Sequence, residues 1–319
     1  MNNLTTTNHF TAIDNSIEND LVANWLQSKR SITTRTTYQR HLKQFFRFTT
    51  NDDPNPTTLG QFLSLKKYQA VSVVTSYLCH LRDVLNRASS TINVALSAIK
   101  SLVNYAALVG KCDYSLSEIK SEKTITYRDT SGVDVPSIKK LLKTNDTKTL
   151  VGLRNQVILT LFWELGLRRC EVIRLNIGDV DFEQKRVSIL GKGRNQSEWM
   201  SLSDNAVNLL GEWLRKSGDR DKQDPLFIAL DRSSYGKRIG SVSVWKIVKN
   251  AGEQAQLYKP LSPHKIRHST ITAALDATNG DYRRVQKLSR HKNIQTVATY
   301  DDNRRDDQGE LTNLLSSMS

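Results

Sequence analysis

The sequence predicts a mainly helical protein with one small β-sheet, an α+β fold built as two domains. Apolar residues recur at spacings of three and four along most of the 319 residues, as they do on the buried face of a helix. Near residue 187 the period changes to two, which indicates β-strands. Between residues 113 and 133 the sequence is polar and loses its helical period. We therefore expect a helical domain over 16–112, a linker over 113–133 and a second domain over 134–319.

The first domain is predicted to be a small helical bundle. Apolar positions at helical spacing begin with Leu21 and Trp25 and continue through Tyr38 and Phe45. Two prolines within residues 52–57 predict a break between helices there. Further helices are expected over residues 71–85 and 91–108.

The second domain is predicted to place a short hairpin among helices. Val187 and Ile189 alternate with polar residues, a matching strand follows over 198–202, and the turn between the strands carries Lys192. Pro263 follows the capping residue Ser262, so a helix is expected to begin there. The other predicted helices cover residues 136–143, 153–165, 167–175, 204–215, 242–256 and 281–288, with a short one through Tyr300.

The charge balance points to a polyanionic partner, with nucleic acid as the first candidate. Lys and Arg total 46 against 32 Asp and Glu, a formal net charge of +14. The 3 cysteines are too few and too scattered for a disulfide framework or a cysteine zinc site. No apolar run approaches the roughly 18 residues that a membrane span needs, and the amino terminus lacks a signal-peptide pattern. We therefore expect a cytoplasmic protein that does not bind a membrane.

Two short patterns in the second domain could hold an anion, although each has an ordinary structural explanation. Arg168 and Glu171 lie three residues apart, so the carboxylate could orient the guanidinium toward an oxyanion or form a simple intrahelical ion pair. Lys192 lies between two glycines, where it could reach a ligand or act only as a solubilising hairpin tip.

Two further patterns contain histidine and tyrosine residues that are candidates for a chemical role. His264 lies in the first turn of its predicted helix, on one face with Arg267 and His268. The positive end of the helix dipole favours its neutral imidazole, which could relay a proton, but the spacing also fits a solvated or hydrogen-bonded pair. His291 and Tyr300 follow nine residues apart, and a lone tyrosine there is usually a packing or surface residue.

The order of these patterns changes their meaning. Gly-Leu-Arg168 with Glu171, Gly-Lys192-Gly on a hairpin, and Pro-His264-Lys-Ile-Arg267-His268 precede His291 and Tyr300. In motif, order and spacing this series resembles the tyrosine recombinase, or phage integrase, family, and in particular its simple two-domain, Xer-like members. The resemblance implies a helical, SAM-like core-binding domain followed by a catalytic domain. It also implies a site-specific DNA recombinase that needs no metal, nucleotide or other cofactor.

The resemblance assigns a role to each residue of the series. Tyr300 would attack phosphorus to give a 3′-phosphotyrosyl link, Lys192 would protonate the departing 5′-oxygen, and His264 would assist proton transfer at the tyrosine.

The remaining residues of the series would stabilise and orient charge. Arg168 and Arg267, aided by a donor from His291, would bind the nonbridging oxygens of the phosphate. Glu171 would orient Arg168.

The resemblance also implies the partners. Four copies of the chain would act on two synapsed sites in double-stranded DNA, with a partner recombinase or a DNA-bending protein where the reaction requires one. The carboxyl-terminal segment 309–318, with leucines at helical spacing, would dock on a neighbouring copy or on its own domain. In the first domain, basic residues are expected to contact DNA phosphates, namely Lys29, Arg30, Arg35, Arg40 and Lys43.

The chain departs from the family pattern at two positions. Arg290 precedes His291 where the family usually has glycine, and Ile266 precedes Arg267 where leucine is commoner. We expect Arg290 to add a positive charge beside the phosphate site.

Three other functions remain open at this point. A type IB topoisomerase-like relaxase would share the tyrosine and arginine chemistry but act as a monomer, and a DNA-binding regulator would keep the fold without cutting. The spacing of His264 and His268 also fits zinc ligands, but no nearby Glu or Cys completes such a site.

Overall fold

Helices dominate both units into which the chain divides, Met1–Thr126 and Tyr127–Ser319. The computed structural model describes residues 21–123, 132–191, 196–300 and 307–318. The second unit also contains a small antiparallel sheet. The expected mainly helical α+β fold with one small sheet is confirmed.

The first unit is a helical bundle closed around aromatic side chains. Phe45 lies edge-on to Phe62 and Tyr77, with ring centroids 5.1 Å and 5.3 Å away, and Trp25 is fully buried. The elements are α1 (Leu21–Gln27), α2 (Ile32–Thr50), α3 (Pro56–Leu63), α4 (Lys67–Cys79), a π-helical turn (His80–Val84) and α5 (Ser89–Leu108).

The predicted break between helices over 52–57 covers only residues 52–55, because α3 begins at Pro56. The Asn55 side chain accepts a hydrogen bond from the Thr58 N–H at 2.9 Å, and the Thr58 hydroxyl accepts one from the Asn55 N–H at 3.2 Å. Pro56 occupies the first helical turn, where a missing N–H costs nothing. The second proline therefore starts a helix here.

The first part of the predicted linker packs on the first unit. The Tyr114 hydroxyl donates a hydrogen bond to the Phe62 carbonyl at 2.6 Å, and Leu116 is buried in the same core. Farther along, the Asn93 side chain accepts from the backbone N–H of Glu122 at 2.8 Å and donates to its carbonyl at 2.9 Å. Residues 114–122 are thus held in place although their sequence is polar.

The second unit surrounds the helix Leu150–Leu165, which is buried on most of its surface. This helix packs against the helices Asp204–Lys216 and Pro263–Ala277, and the core extends to Trp213, whose Nε1 donates to the Leu226 carbonyl at 2.8 Å. The helices are α6 (Val135–Leu141), α7 (Leu150–Leu165), α8 (Arg169–Arg174), α9 (Asp204–Lys216), α10 (Ser241–Gln254), α11 (Pro263–Ala277), α12 (Tyr282–Ser289), α13 (Gln295–Ala298) and α14 (Asp307–Ser317), with a 3₁₀ turn over Ile177–Asp179.

The sheet has the order β1 (Val180–Asp181), β2 (Arg186–Leu190) and β3 (Ser197–Ser201). The expected hairpin is confirmed as β2 and β3, which pair Val187 with Met200 and Ile189 with Glu198, and the sequence reasoning missed β1. The hairpin tip with Lys192 lies outside the described residues. In the part of the chain that is described, no helix has the length and apolar character that a membrane crossing requires.

Removing the hydroxyl of Tyr114 should destabilise the protein, whereas removing that of Tyr77 should not. Tyr114→Phe loses the hydrogen bond to the Phe62 carbonyl, so we expect the free energy of unfolding to fall by about 1 kcal/mol. Tyr77 is equally buried, but its hydroxyl has no hydrogen-bond partner among the described residues, so Tyr77→Phe should be neutral or stabilising. Chemical unfolding of the full chain measures both variants, and equal losses would contradict the assignment.

Candidate active site

A buried arginine lies at the centre of the candidate site. Arg267 is on α11, which begins as predicted: the Ser262 hydroxyl accepts from the Lys265 N–H at 3.3 Å and Pro263 occupies the first turn. The side chain of Arg267 is 1% exposed. Its guanidinium donates to the carbonyls of Gly166 and Ser289, and its Nη2 lies 3.2 Å from Nε2 of His291.

Both carbonyls belong to the carboxyl-terminal ends of helices, where carbonyls lack intrahelical partners. Gly166 ends α7 in the left-handed conformation, with φ 54°, which suits glycine. Ser289 is the last residue of α12, and Arg290 follows it in the same conformation, with φ 56°. The glycine of the Gly-Leu-Arg168 pattern therefore ends α7 next to Arg267.

Arg168 and Glu171 form a pair at the start of α8. Glu171 is completely buried, and its Oε1 accepts from Arg168 Nη1 at 2.9 Å while its Oε2 accepts from the Arg168 N–H at 2.8 Å. Arg168 precedes the helix as its capping residue, so the predicted helix over 167–175 begins two residues later than expected. The carboxylate holds both the backbone and the guanidinium of Arg168, and 29% of that side chain remains exposed.

The side chain of Arg290 lies inside the protein. Its Nη2 donates to Glu171 Oε2 at 2.6 Å, its Nη1 contacts the Met200 sulfur on β3, and the side chain is 4% exposed. The expected charge beside the phosphate site is therefore already paired with the Glu171 carboxylate.

Two histidines of the site have lowered pKa values. Partial desolvation, and then the charges of Arg267 and Arg168, lower the pKa of His264 in the exposed first turn of α11. Desolvation and the same two arginines, followed by Arg290 and His264, lower the pKa of His291 to about 4. Both imidazoles are thus neutral at pH 7, and His291 can accept the Arg267 hydrogen bond.

Tyr300 packs between two imidazole rings. It lies in the turn after α13, it is 7% exposed, and its ring centroid is 5.5 Å from that of His291 in a stacked arrangement and 4.7 Å from that of His268. The Thr272 hydroxyl donates to the Tyr300 carbonyl at 3.3 Å. Sequence reasoning gave His268 no role at this tyrosine, although its position one helical turn after His264 was a usable signal.

Burial makes Arg267 unusual among the charged groups. Desolvation and the nearby charge of Arg168 lower the pKa of Arg267 to about 10. The guanidinium nevertheless stays protonated at pH 7. The protein therefore keeps a positive charge on Arg267 next to His291, on whose ring Tyr300 stacks.

The structure brings together five of the six predicted catalytic residues, Arg168, His264, Arg267, His291 and Tyr300, with Glu171 behind them. The sixth, Lys192, lies outside the described residues. The set combines two guanidinium groups, two neutral imidazoles and a phenol, which suits nucleophilic attack at a phosphodiester. For the alternative of a zinc site at His264 and His268, Nδ1 of His268 accepts a hydrogen bond from the backbone N–H of Gly132 at 3.2 Å. In the described ranges, no group of three or more His, Cys, Asp or Glu could hold a metal ion.

A concave basic surface adjoins this site in the second unit. Its lining includes Trp199 of β3 and three exposed cations, Arg283, Lys287 and Lys292, beside His291. Arg186 of β2 lies over the Trp199 ring, 4.2 Å from its centroid. This surface can hold a polyanion next to the catalytic set.

The predicted DNA-binding residues of the first unit fall into two groups. Arg35 donates to the carbonyls of Lys29 and Gln27 at 2.7 Å and 3.1 Å, and Lys43 forms an ion pair with Asp53 at 2.6 Å. Lys29 Nζ lies 5.8 Å from the centroid of the Trp25 ring.

The second group consists of Arg30 and Arg40, which are exposed and form no ion pair with a described residue. Arg40 lines a concave surface together with Arg47, Arg87 and His80. The sequence reasoning did not single out Arg87 or His80, because they lie far from Arg40 along the chain.

Comparisons with known proteins agree on one family. The family model described as the phage integrase family matches residues 133–306. The chain is 42% identical over 304 residues to a protein of Synechocystis sp. named tyrosine recombinase slr0733, covering 95% of this chain and 96% of that one. It is 30% identical over 213 residues to tyrosine recombinase XerC of Vibrio vulnificus, covering 66% of each chain.

Solved structures show the same fold. The XerH site-specific recombinase bound to palindromic difH substrate matches with a TM-score of 0.65 at 16% identity, covering 92% of this chain and 95% of that one. The Tn1549 transposon integrase in complex with transposon right end DNA matches with a TM-score of 0.66 at 15% identity, covering 92% and 96%. Since the family model spans more than half of the chain and a relative above 40% identity spans nearly all of it, this chain belongs to the phage integrase family of tyrosine recombinases.

Proposed function

We propose that this protein is a site-specific recombinase that cuts and rejoins double-stranded DNA through a covalent bond to Tyr300. The observation that carries the proposal is the continuous contact from the Tyr300 ring to His291 and from His291 to the Arg267 guanidinium. A phenol beside a neutral imidazole and a fixed cation is what attack at a phosphodiester requires. The similarity to named tyrosine recombinases over nearly the whole chain supports it.

The first step forms a bond between Tyr300 Oη and phosphorus and breaks the bond between phosphorus and the 5′-oxygen. The products are a 3′-phosphotyrosyl link and a free 5′-hydroxyl. Arg168 and Arg267 stabilise the negative charge that develops on the nonbridging oxygens, because planar guanidinium groups with several N–H donors match phosphate geometry.

This step includes two proton transfers, one from the attacking tyrosine hydroxyl and one to the departing 5′-oxygen. The neutral imidazole of His264 is exposed at the first turn of α11 and accepts the proton that the tyrosine hydroxyl loses. Lys192 at the hairpin tip donates the proton that the departing 5′-oxygen gains. This assignment of Lys192 rests on the sequence pattern and on its place between β2 and β3.

Rejoining follows from the covalent intermediate. A phosphotyrosyl bond is itself a phosphodiester, so a 5′-hydroxyl from another strand can attack it and release Tyr300 without further energy input. The product is an exchanged strand, and no nucleotide is consumed.

We assign DNA positioning to the first unit and to the basic surface beside the catalytic set. In the first unit, Arg30, Arg40 and Arg87 offer exposed guanidinium groups. In the second unit, Lys287 and Lys292 lie beside His291. This division corresponds to a core-binding domain over 16–112, a linker over 113–133 and a catalytic domain over 134–319, although residues 114–122 pack on the first unit.

Assembly is proposed to place four copies on two DNA sites in the cytoplasm, with the nucleoid or a plasmid as the location of the substrate. A partner recombinase or a DNA-bending protein joins where the site requires it. The carboxyl-terminal helix α14 supports assembly because its apolar side chains are exposed, with Leu314 50% and Leu315 66% accessible. Lambda integrase, a solved structure with the same fold, forms a dimer bound to a COC′ core site.

Replacing the proposed nucleophile should abolish covalent capture of DNA. Nicked fragments of DNA from the source cell are incubated with the protein, trapped in detergent and sequenced. The wild-type protein should leave adducts at a recurrent inverted repeat, and Tyr300→Phe should leave none. Tyr258→Phe is the matched control, because Tyr258 is 98% exposed and lies outside the site. Adducts that persist in Tyr300→Phe would contradict the assignment, and relaxation of any supercoiled plasmid would favour a topoisomerase.

Loss of an exposed cation in the first unit should reduce the salt dependence of DNA binding. Each phosphate contact contributes about 1 to the slope of log affinity against log salt, so we expect Arg40→Gln to lower that slope by about 1. Arg82→Gln is the control, because Arg82 is already paired with Asp83 at 2.8 Å. Titration of a labelled target duplex between about 50 and 200 mM salt measures the slope. Equal slopes for Arg40→Gln and the wild type would remove Arg40 from the interface.

Deletion of the residues after Asp307 should weaken assembly more than binding to a single site. The deletion removes the exposed leucines that we propose to contact a neighbouring copy. Gel shift on one site measures binding, and light scattering of the complex with two sites measures assembly. The double variant Leu314→Asp, Leu315→Asp keeps the segment and should reproduce the assembly defect. An equal loss of binding and assembly would refute docking between copies.

A further inference from the structure

We propose that Arg290 is a positioning residue that holds the Glu171 carboxylate and thereby keeps the Arg168 guanidinium oriented toward the DNA phosphate. The inference rests on the proposed roles of Arg168 and Tyr300. Arg290 is not a member of the predicted catalytic set, and its side chain is 4% exposed and contacts Glu171.

The contacts around Glu171 fix both of its oxygens. Oε2 accepts from Arg290 Nη2 at 2.6 Å and from the Arg168 N–H at 2.8 Å, while Oε1 accepts from Arg168 Nη1 at 2.9 Å. A carboxylate held at one oxygen by two donors cannot rotate about its bond without breaking them. Oε1 therefore has one direction, and the Arg168 guanidinium bonded to it has one orientation.

The charges around Glu171 determine how much positive charge the site presents to a phosphate. With Arg168 as its only partner, the completely buried Glu171 would neutralise the positive charge that the phosphate needs. Arg290 supplies a second cation on the same carboxylate. The group formed by Arg168, Glu171 and Arg290 then carries one net positive charge, and Arg168 is its most exposed member.

The backbone conformation at Arg290 suits glycine better than arginine. The residue adopts φ 56° and ψ 34°, a left-handed conformation that costs free energy for any residue with a Cβ and costs glycine nothing. The contacts with Glu171 and Met200 offset that cost. Glycine at this position would preserve the backbone and remove the side-chain contacts, including those with Glu171 and Met200.

Arg290 also connects three elements that lie next to proposed catalytic residues in the chain. It joins the end of α12, next to His291, to Glu171 on α8 and to Met200 on β3. Strand β3 pairs with β2 throughout the hairpin whose tip carries Lys192. One side chain thus ties the hairpin, the arginine pair and the loop of His291 together.

The test measures single-turnover cleavage of a nicked target duplex by the full chain. Arg290→Gly keeps the backbone conformation, so it should fold and bind DNA like the wild type. We expect it to cleave roughly tenfold to a hundredfold more slowly, because misplacing a catalytic group by about 1 Å can cost a hundredfold. Arg290→Lys keeps a cation on Glu171 and should recover most of the rate. Arg284→Met, an exposed arginine on the same helix, is the control for loss of one charge.

A pH profile separates positioning from simple packing. Arg290 is one of the cations that lower the pKa of His291, together with Arg267, Arg168 and a protonated His264. In Arg290→Met the pKa of His291 rises, so the titration profile of the His291 imidazole, followed by NMR, should move to higher pH than in the wild type. Arg290→Lys should leave the profile in place. A rate loss in both variants with no shift in either profile would show packing alone and overturn the proposal.

A double variant tests whether Arg290 acts through Glu171. If it does, Glu171→Gln with Arg290→Met should cleave no more slowly than Glu171→Gln alone. Losses that multiply would overturn the proposal.

If the wild type forms adducts that Tyr300→Phe lacks, the proposed function stands, and a normal rate in Arg290→Gly refutes only the positioning role. If the wild type forms no adduct, both proposals fall.

Discussion

The guanidinium of Arg267 connects the parts of the second unit that form the site. It donates to the last carbonyls of two helices, at Gly166 and Ser289, and it reaches the ring of His291. A buried cation is costly unless it is paired. Helix carboxyl termini supply unpaired carbonyls and the negative end of the helix dipole, so the protein compensates this charge with backbone and needs no carboxylate on Arg267 itself. The charge therefore remains available to an oxyanion.

The helix ends that meet at Arg267 depend on two residues in the left-handed conformation. Gly166 adopts it without strain and stops α7, and Arg290 adopts it at the end of α12. In each case the chain turns sharply, so that a terminal carbonyl faces Arg267 while the next residues lead to Arg168 or to His291. The geometry of the cations is thus set by helix termination, and their chemistry follows from it.

Local rules explain what could be predicted from the sequence, and long-range contacts explain what could not. The capped start of α11 and the alternation in β2 need only neighbouring residues, and both were predicted. The direction of the Arg290 side chain depends on α8 and β3, which are distant in the chain, so its pairing with Glu171 was not foreseen. Arg35 was likewise predicted for DNA but is bound to the end of α1, because a charge pattern cannot show which cations are satisfied internally.

In the proposed reaction, the balance of charge favours the transition state over the bound substrate. The described residues of the site include three guanidinium groups, those of Arg168, Arg267 and Arg290, and the carboxylate of Glu171, while the imidazoles of His264 and His291 are neutral at pH 7. A phosphodiester carries one negative charge, but attack by a deprotonated tyrosine adds a second one at phosphorus. This excess of two positive charges, together with the proton that His264 gains from Tyr300, stabilises the dianionic transition state more than the singly charged ground state, which is the condition for catalysis by differential binding.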